Sequence, residues 1–265
     1  MRTPLSYVNA PFALVDETET RLGAAVVKHV LSRARGFCEC CGSPAPFRWG
    51  DGEPYLEIHC VSGTEGFDIG EGTEGHFGEI GTLDLTETGP VAALCPTCHR
   101  RVHHSLEAAA LDARLREDVR AVDTALQKGD LKVVTAAVIP DGEGRVLVTQ
   151  RAYGPHKGLW EFPGGKITND HEMLEKCIAR ELKEELAVDV IKAKPFTMID
   201  HDYGSFFLRM YVFVCKVEGQ IDLRDHSGAR WVGPREFSEL DLAPADQKVA
   251  SKLASLMDQE TALWL

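Results

Sequence analysis

Glu181, Glu184 and Glu185 stand at positions i, i+3 and i+4, so on a helix their side chains share one side. The segment from Glu172 to Leu186 has helical periodicity, with Leu174, Ile178, Leu182 and Leu186 four apart. Glu181 and Glu185 border that apolar stripe, Glu184 lies one step further round, and Arg180, Lys183 and Lys176 are expected on the outer face. Like charges at this spacing repel by roughly 0.2–0.5 kcal/mol in water, and more when half buried. A hard divalent cation takes carboxylate oxygens and removes that cost. A solvated acidic face is the alternative reading of the bare triplet.

The elements that must position these acids lie on either side. Trp160 to Lys166 reads as a short apolar strand that ends in a Pro-Gly-Gly turn, and Thr168, Asn169 and Asp170 offer N-cap oxygens to the helix. Leu131 to Ile139 reads as a strand, Asp141 to Gly144 as a turn and Arg145 to Gln150 as the returning strand of a hairpin. Phe206 to Val217 and Ala229 to Val232 are further strands, and Glu236 to Leu240 and Ala245 to Met257 look helical.

Gly165, Glu172 and the run Arg180-Glu181-Leu182-Lys183-Glu184-Glu185 together resemble the signature of the Nudix hydrolases, and Trp-Glu-Phe-Pro-Gly-Gly-Lys looks like their MutT-like branch. The resemblance covers residues 131–265. Two departures stand out: six residues rather than five separate Gly165 from Glu172, and Ala187 stands where the family has a helix-ending Gly. The resemblance implies an α/β/α sandwich around a mixed sheet and a magnesium-dependent (or manganese-dependent) nucleoside triphosphate pyrophosphohydrolase of the nucleotide-pool-sanitation type. Such an enzyme takes 8-oxo-dGTP or (d)CTP-type substrates and releases a monophosphate and pyrophosphate.

Carried over position by position, the resemblance assigns the metals to Glu181, Glu184 and Glu185, with the Gly165 carbonyl as a further ligand. It pairs Glu172 with Arg180 to orient the helix and lets Lys166 neutralise a phosphate. Arg151 and Asp246 would meet the base, and Trp160 and Phe162 either stack on it or fill the core. Asp246 ionised only accepts hydrogen bonds, which favours a donor-rich base edge such as cytosine N4 or the N7–H of 8-oxoguanine; capping of the last helix is the alternative. Arg230 stands before Trp231 where a related position has Glu, so the general base is expected among the helix glutamates.

A second constellation precedes this one. Cys38/Cys41 and Cys95/Cys98 form two CxxC pairs, the spacing of a closed four-thiolate zinc site. His99 and His103 are four apart, so on a helix they face one way, and with His59 they offer a second, three-histidine metal site. From Arg35 to His104 these features resemble the HNH endonucleases with a four-cysteine zinc site, a small ββα fold. In that family a metal clamps the scissile phosphate while a histidine following the His59 position activates water. Here Cys60 occupies that position, and Pro90 falls where the family's central Asn is expected. The insert from Ser62 to Gly89 holds seven acids, eight glycines and no Lys or Arg, which repels a phosphate backbone. His76 within it is the one stand-in base. An inactive zinc-stapled docking module is therefore preferred to a live nuclease.

Length sets two domains: 1–105 zinc-binding, 106–130 a helical linker (or a dimer helix), and 131–265 the hydrolase. The net charge of −12 is shared by both halves, with 12 Lys/Arg against 20 acids up to residue 130 and 17 against 21 beyond it. That disfavours broad nucleic-acid binding without excluding a small metal-held triphosphate. The sequence shows no membrane span and no secretion signal, and with grouped cysteines it points to a reducing cytoplasm. Oligomeric state is not legible.

Overall fold

The computed structural model describes residues 24–61 and 90–257. His76 and the rest of the Ser62 to Gly89 insert lie outside these. The chain divides into two compact units, Met1–Thr124 and Ala125–Leu265.

In the first unit, α1 (Ala24–Ala34) ends in Arg35 and Gly36, both at positive φ, and leads into the first cysteine turn. That turn closes through Gly42 N donating to Cys38 O and Cys38 N to Ser43 O, both at 2.8 Å. Strands β1 (Glu57–Cys60) and β2 (Val91–Leu94) pair antiparallel, with His59 opposite Ala92. Helix α2 (Pro96–His104) then starts on the second cysteine pair. The sequence suggested a linker at 106–130. Helix α3 (Ala108–Lys128) does run there, and it buries Leu111, Leu115 and Val119 in the core that also holds Val30, Ile58 and Leu94. Arg33 ties this unit together from within, bonding Glu39, Asp123 Oδ1 and the Val91 carbonyl.

The second unit is α/β with a mixed sheet, as expected. Strand β3 (Leu131–Val138) runs parallel to β7 (Phe207–Glu218), and β6 (Asp189–Asp202) adds antiparallel on the far side of β7. A second sheet orders β5 (Trp160–Glu161), β4 (Val146–Arg151) and β8 (His226–Val232). Between the sheets and helix α5 (Pro244–Met257) lies a core of Val138, Val148, Phe162, Met210, Val212, Val232 and Leu253. Helix α4 (Leu174–Leu186) packs on β3 and β6 through Cys177, Ile178, Leu182 and Leu186.

Four sequence expectations change here. The hairpin at Asp141 survives only beside its turn, where Pro140 bridges Val146 and Leu147 N donates to Ile139 O, because β3 and β4 then diverge into different sheets. The 14-residue β6 was not anticipated from its sequence. Helix α4 starts after Met173 with no side-chain cap, since the acids and amides upstream are used elsewhere: Glu172 accepts from Thr168 and Asn169 Oδ1 from His171 N. Arg180 does not point outward. Its long side chain folds back over the acids. Ala187 ends the helix at φ 61, ψ 14, the left-handed conformation that the missing Gly would have adopted without strain.

Candidate active site

The Pro-Gly-Gly turn is bonded to β3, with Ala137 N donating to the Pro163 carbonyl at 2.8 Å. Gly165 N–C–O lies along β3, its carbonyl accepting from Thr135 N at 2.8 Å and from Thr135 Oγ1 at 3.4 Å. A Cβ on Gly164 would lie 2.9 Å from Ala136 Cα. A Cβ on Gly165 would lie 2.7 Å from Glu181 Oε1 and closer still to its other carboxyl atoms. Gly164 thus lets the turn lie against the β3 backbone, and Gly165 lets the Glu181 carboxylate sit against the turn. The Gly165 carbonyl, which the sequence offered as a further metal ligand, accepts from Thr135 with one of its two lone pairs.

Arg180 organises the acids. Its Nε donates to Glu172 Oε1 at 3.0 Å, Nη1 to Glu181 Oε1 at 2.8 Å and to Glu184 Oε2 at 3.1 Å, and Nη2 to the Lys166 carbonyl at 2.9 Å. The guanidinium, with the Thr168 N–H, holds Glu172 down to about 2. Glu185 turns the other way and accepts from Gly164 N at 3.1 Å. Burial pushes its acid up to about 7, while His226 pulls it down. Glu184 is the exposed member, with 58 % of its side chain accessible against 14 % for Glu181. The three glutamates line one side of α4, as their spacing predicts, but their oxygens are drawn to Arg180 and Gly164 rather than to one point.

Beyond the turn, a second polar cluster forms around Glu161. Arg151 Nη1 donates to Glu161 Oε2, and His226 Nε2 stands 3.3 Å from Oε1. Asp246 is buried at the start of α5 and accepts the Phe162 N–H at 2.8 Å. Burial lifts its acid to about 7. The acceptor-only reading of Asp246 holds for its ionised form; the protonated carboxyl also donates. The carboxylate also bonds the Asp246 backbone N–H in the first turn of α5, so it serves both the helix start and Phe162 across the fold. Phe162 itself is a core residue at 3 % exposure, its ring 6.1 Å from that of Phe237, so it does not offer a stacking face; only its backbone joins the cluster. Lys166 is exposed, and Arg230 pairs with Glu236 at 3.2 Å. Glu161 and His226 were missed by the sequence reading. Glu161 lay in plain view between Trp160 and Phe162, where strand alternation sets it opposite to the buried Phe162, whereas nothing local marks His226.

In the first unit, the Cys38, Cys41, Cys95 and Cys98 sulfurs lie within 4.8 Å of one another, and so do ring nitrogens of His59, His99 and His103. The thiolates fit a tetrahedral zinc: Cys98 N donates to Cys95 Sγ at 3.5 Å, a backbone contact that steadies a thiolate. The histidines also fit a metal. His99 Nδ1 is held by Glu57 at 2.7 Å and His59 Nε2 by Asp112 at 3.2 Å, while His59 Nδ1 is buried without a hydrogen-bond partner. Burial lowers the His59 pKa and so favours the neutral ring that a metal requires.

Comparison with known proteins agrees with this division. The NUDIX domain family matches residues 130–253. A CTP pyrophosphohydrolase of Escherichia coli is 31 % identical over 43 % of this chain and 84 % of its own length. An 8-oxo-dGTP diphosphatase of Proteus vulgaris is 34 % identical over 38 % of this chain and 88 % of its own. The solution structure of the E. coli ORF135 protein superimposes with a TM-score of 0.45 at 27 % identity, over 50 % of this chain and 95 % of that one. The N-terminal region resembles the E. coli type IV methyl-directed restriction enzyme EcoKMcrA, 38 % identical over 31 % of this chain but only 24 % of that enzyme. Among the described residues no helix is long and apolar enough to cross a membrane. With the family match spanning residues 130–253 and two such relatives covered over most of their length, the chain belongs to the NUDIX family and hydrolyses diphosphate bonds.

Proposed function

We propose that the second unit is a magnesium-dependent nucleoside triphosphate pyrophosphohydrolase acting on (d)CTP-type or 8-oxo-dGTP-type nucleotides. The observation that carries this reading is the seating of Glu181 against Gly165, which sets a carboxylate-lined helix beside the turn. Glu181, Glu184 and Glu185 would hold the cations. Bound there, magnesium screens the polyphosphate charge and lowers the pKa of a water. The residues of this chain do the rest. Arg180 fixes the spacing of Glu181 and Glu184 and anchors the loop through Glu172. Glu185 is held to the turn by the Gly164 N–H, which donates to its carboxylate at 3.1 Å. Arg151, Glu161 and Asp246 present mixed donors and acceptors to a base edge. One water is consumed, the bond between the α and β phosphates breaks, and a monophosphate and pyrophosphate leave.

The names of the two relatives supply the substrate panel: CTP, 8-oxo-dGTP and their standard, oxidised and methylated counterparts, each with magnesium. Release of pyrophosphate is expected, with turnover lost in Glu184→Gln. Unchanged turnover in that variant rejects its metal role.

For the first unit, the convergence of four cysteines favours a zinc-stapled docking module. Metal analysis should find zinc that Cys95→Ser removes. Nicking of plasmid DNA with magnesium or manganese, abolished by His99→Ala, would instead establish a nuclease.

A further inference from the structure

Three adjacent strands each give one residue to a single carboxylate. Glu161 comes from β5, Arg151 from β4 and His226 from β8. Arg151 holds Oε2 and His226 Nε2 stands at Oε1. The ladder between β4 and β8 is regular from Val146 to Gln150 and then shifts, so that Gln150 faces Gly228 but Arg151 faces His226. The extra residue is Ser227, whose hydroxyl donates to the Gln150 carbonyl at 3.2 Å. A bulge of this kind re-aims a side chain, and here it brings His226 onto the side of the sheet that Arg151 occupies.

The His226 side chain is only 3 % exposed, and its Nδ1 is buried with no hydrogen-bond partner. A buried imidazole that leaves a ring nitrogen unmatched is costly to keep for packing alone. Glu161 sits between two regions. After burial itself, its charge helps to raise the acids of Asp246 on one side and Glu185 on the other. Without the Arg151 bond and the His226 contact on its oxygens the side chain would be free to swing away from both.

We propose that His226 is a positioning residue for nucleotide selection: by holding Oε1 while Arg151 holds Oε2, it fixes the Glu161 carboxylate between Asp246 and the glutamate helix. The assignment rests on the nucleotide reading given above. His226 does not itself touch the reacting phosphate.

The test compares wild type with His226→Leu, His226→Asn and His226→Gln, using CTP and 8-oxo-dGTP with magnesium. The Gln amide nitrogen takes the place of Nε2 and can still reach Glu161, whereas the Asn amide takes the place of Nδ1 and falls short. In the Leu and Asn variants KM for the preferred nucleotide should rise about tenfold and the CTP to 8-oxo-dGTP ratio of kcat/KM should change by a similar factor, with kcat altered less. The Gln variant should return both values to within about threefold of wild type. Equal losses in all three variants, or a fall in kcat at unchanged KM and unchanged selectivity, overturns the proposal. Binding of both nucleotides in calcium, followed by calorimetry, separates the two levels of the argument. A wild type that binds neither nucleotide overturns the nucleotide reading and this inference with it. A wild type whose selectivity persists in the Leu variant overturns this inference alone.

Discussion

Arg180 Nη1 stands 2.8 Å from Glu181 Oε1, and the bare Cα of Gly165 closes the other side of the same carboxylate. The guanidinium thus supplies the counter-charge that neighbouring glutamates require, and the glycine supplies the room. The Glu172 and Glu181 carboxylates raise the Arg180 pKa further above its ordinary value.

Gly165→Ala should therefore act on activity more than on folding. The Gly165 backbone is not in the left-handed region, so alanine fits the chain itself. Its Cβ collides with Glu181 and must displace it. A displacement of about 1 Å in a metal-binding carboxylate costs on the order of 10²-fold in kcat/KM. Steady-state pyrophosphate release checks this, with thermal unfolding as the control.

Asp246→Asn tests the buried carboxyl. Burial raises its acid from 3.8 to about 7, so between those values the folded chain keeps a proton that the unfolded chain has released. The stability this proton confers is complete below about pH 4 and is lost as pH rises through 7. Asparagine does not titrate and can still accept the Phe162 N–H. The Tm of wild type minus that of Asp246→Asn should fall between about pH 4 and about pH 7 and level off above it, the window the linkage sets. A flat difference contradicts the assignment.

Arg33→Leu addresses the first unit. The substitution leaves Glu39, with 1 % of its side chain exposed, and Asp123, with 16 %, without their guanidinium partner. Breaking a buried pair from one side costs about 3–5 kcal/mol. Urea unfolding of the first unit should give an unfolding free energy lower by that amount and a lower midpoint, while pyrophosphohydrolase activity stays.

Ala187→Gly should stabilise the second unit. Ala187 sits at φ 61, where glycine is preferred by about 1 kcal/mol. A rise in the unfolding midpoint with unchanged kcat is expected.

Local signals carried much of this. The leucine spacing of α4 located the helix, and the CxxC pairs located the zinc-type cluster, because both depend on neighbours a few residues apart. Strand β6 escaped because it is an edge strand with Pro195 within it and two register shifts, so its apolar residues do not alternate. Arg180 was misplaced because a helical wheel gives the direction of Cβ, while a long side chain can fold back. Glu161 and His226 meet across three strands and 65 positions of sequence, and no periodicity records that. Asp246 could be placed near a base by its motif, but its protonation depends on burial, which the sequence does not state.

The parallel pairing of Leu131–Val138 with Phe207–Val214 has a kinetic consequence. During synthesis the glutamate helix leaves the ribosome before the central strand against which its sheet is completed. Long-range parallel strands are slow to join. The nascent acids must therefore wait, unroofed, until Val214 has emerged, whereas the two cysteine turns meet within the first hundred residues to be made.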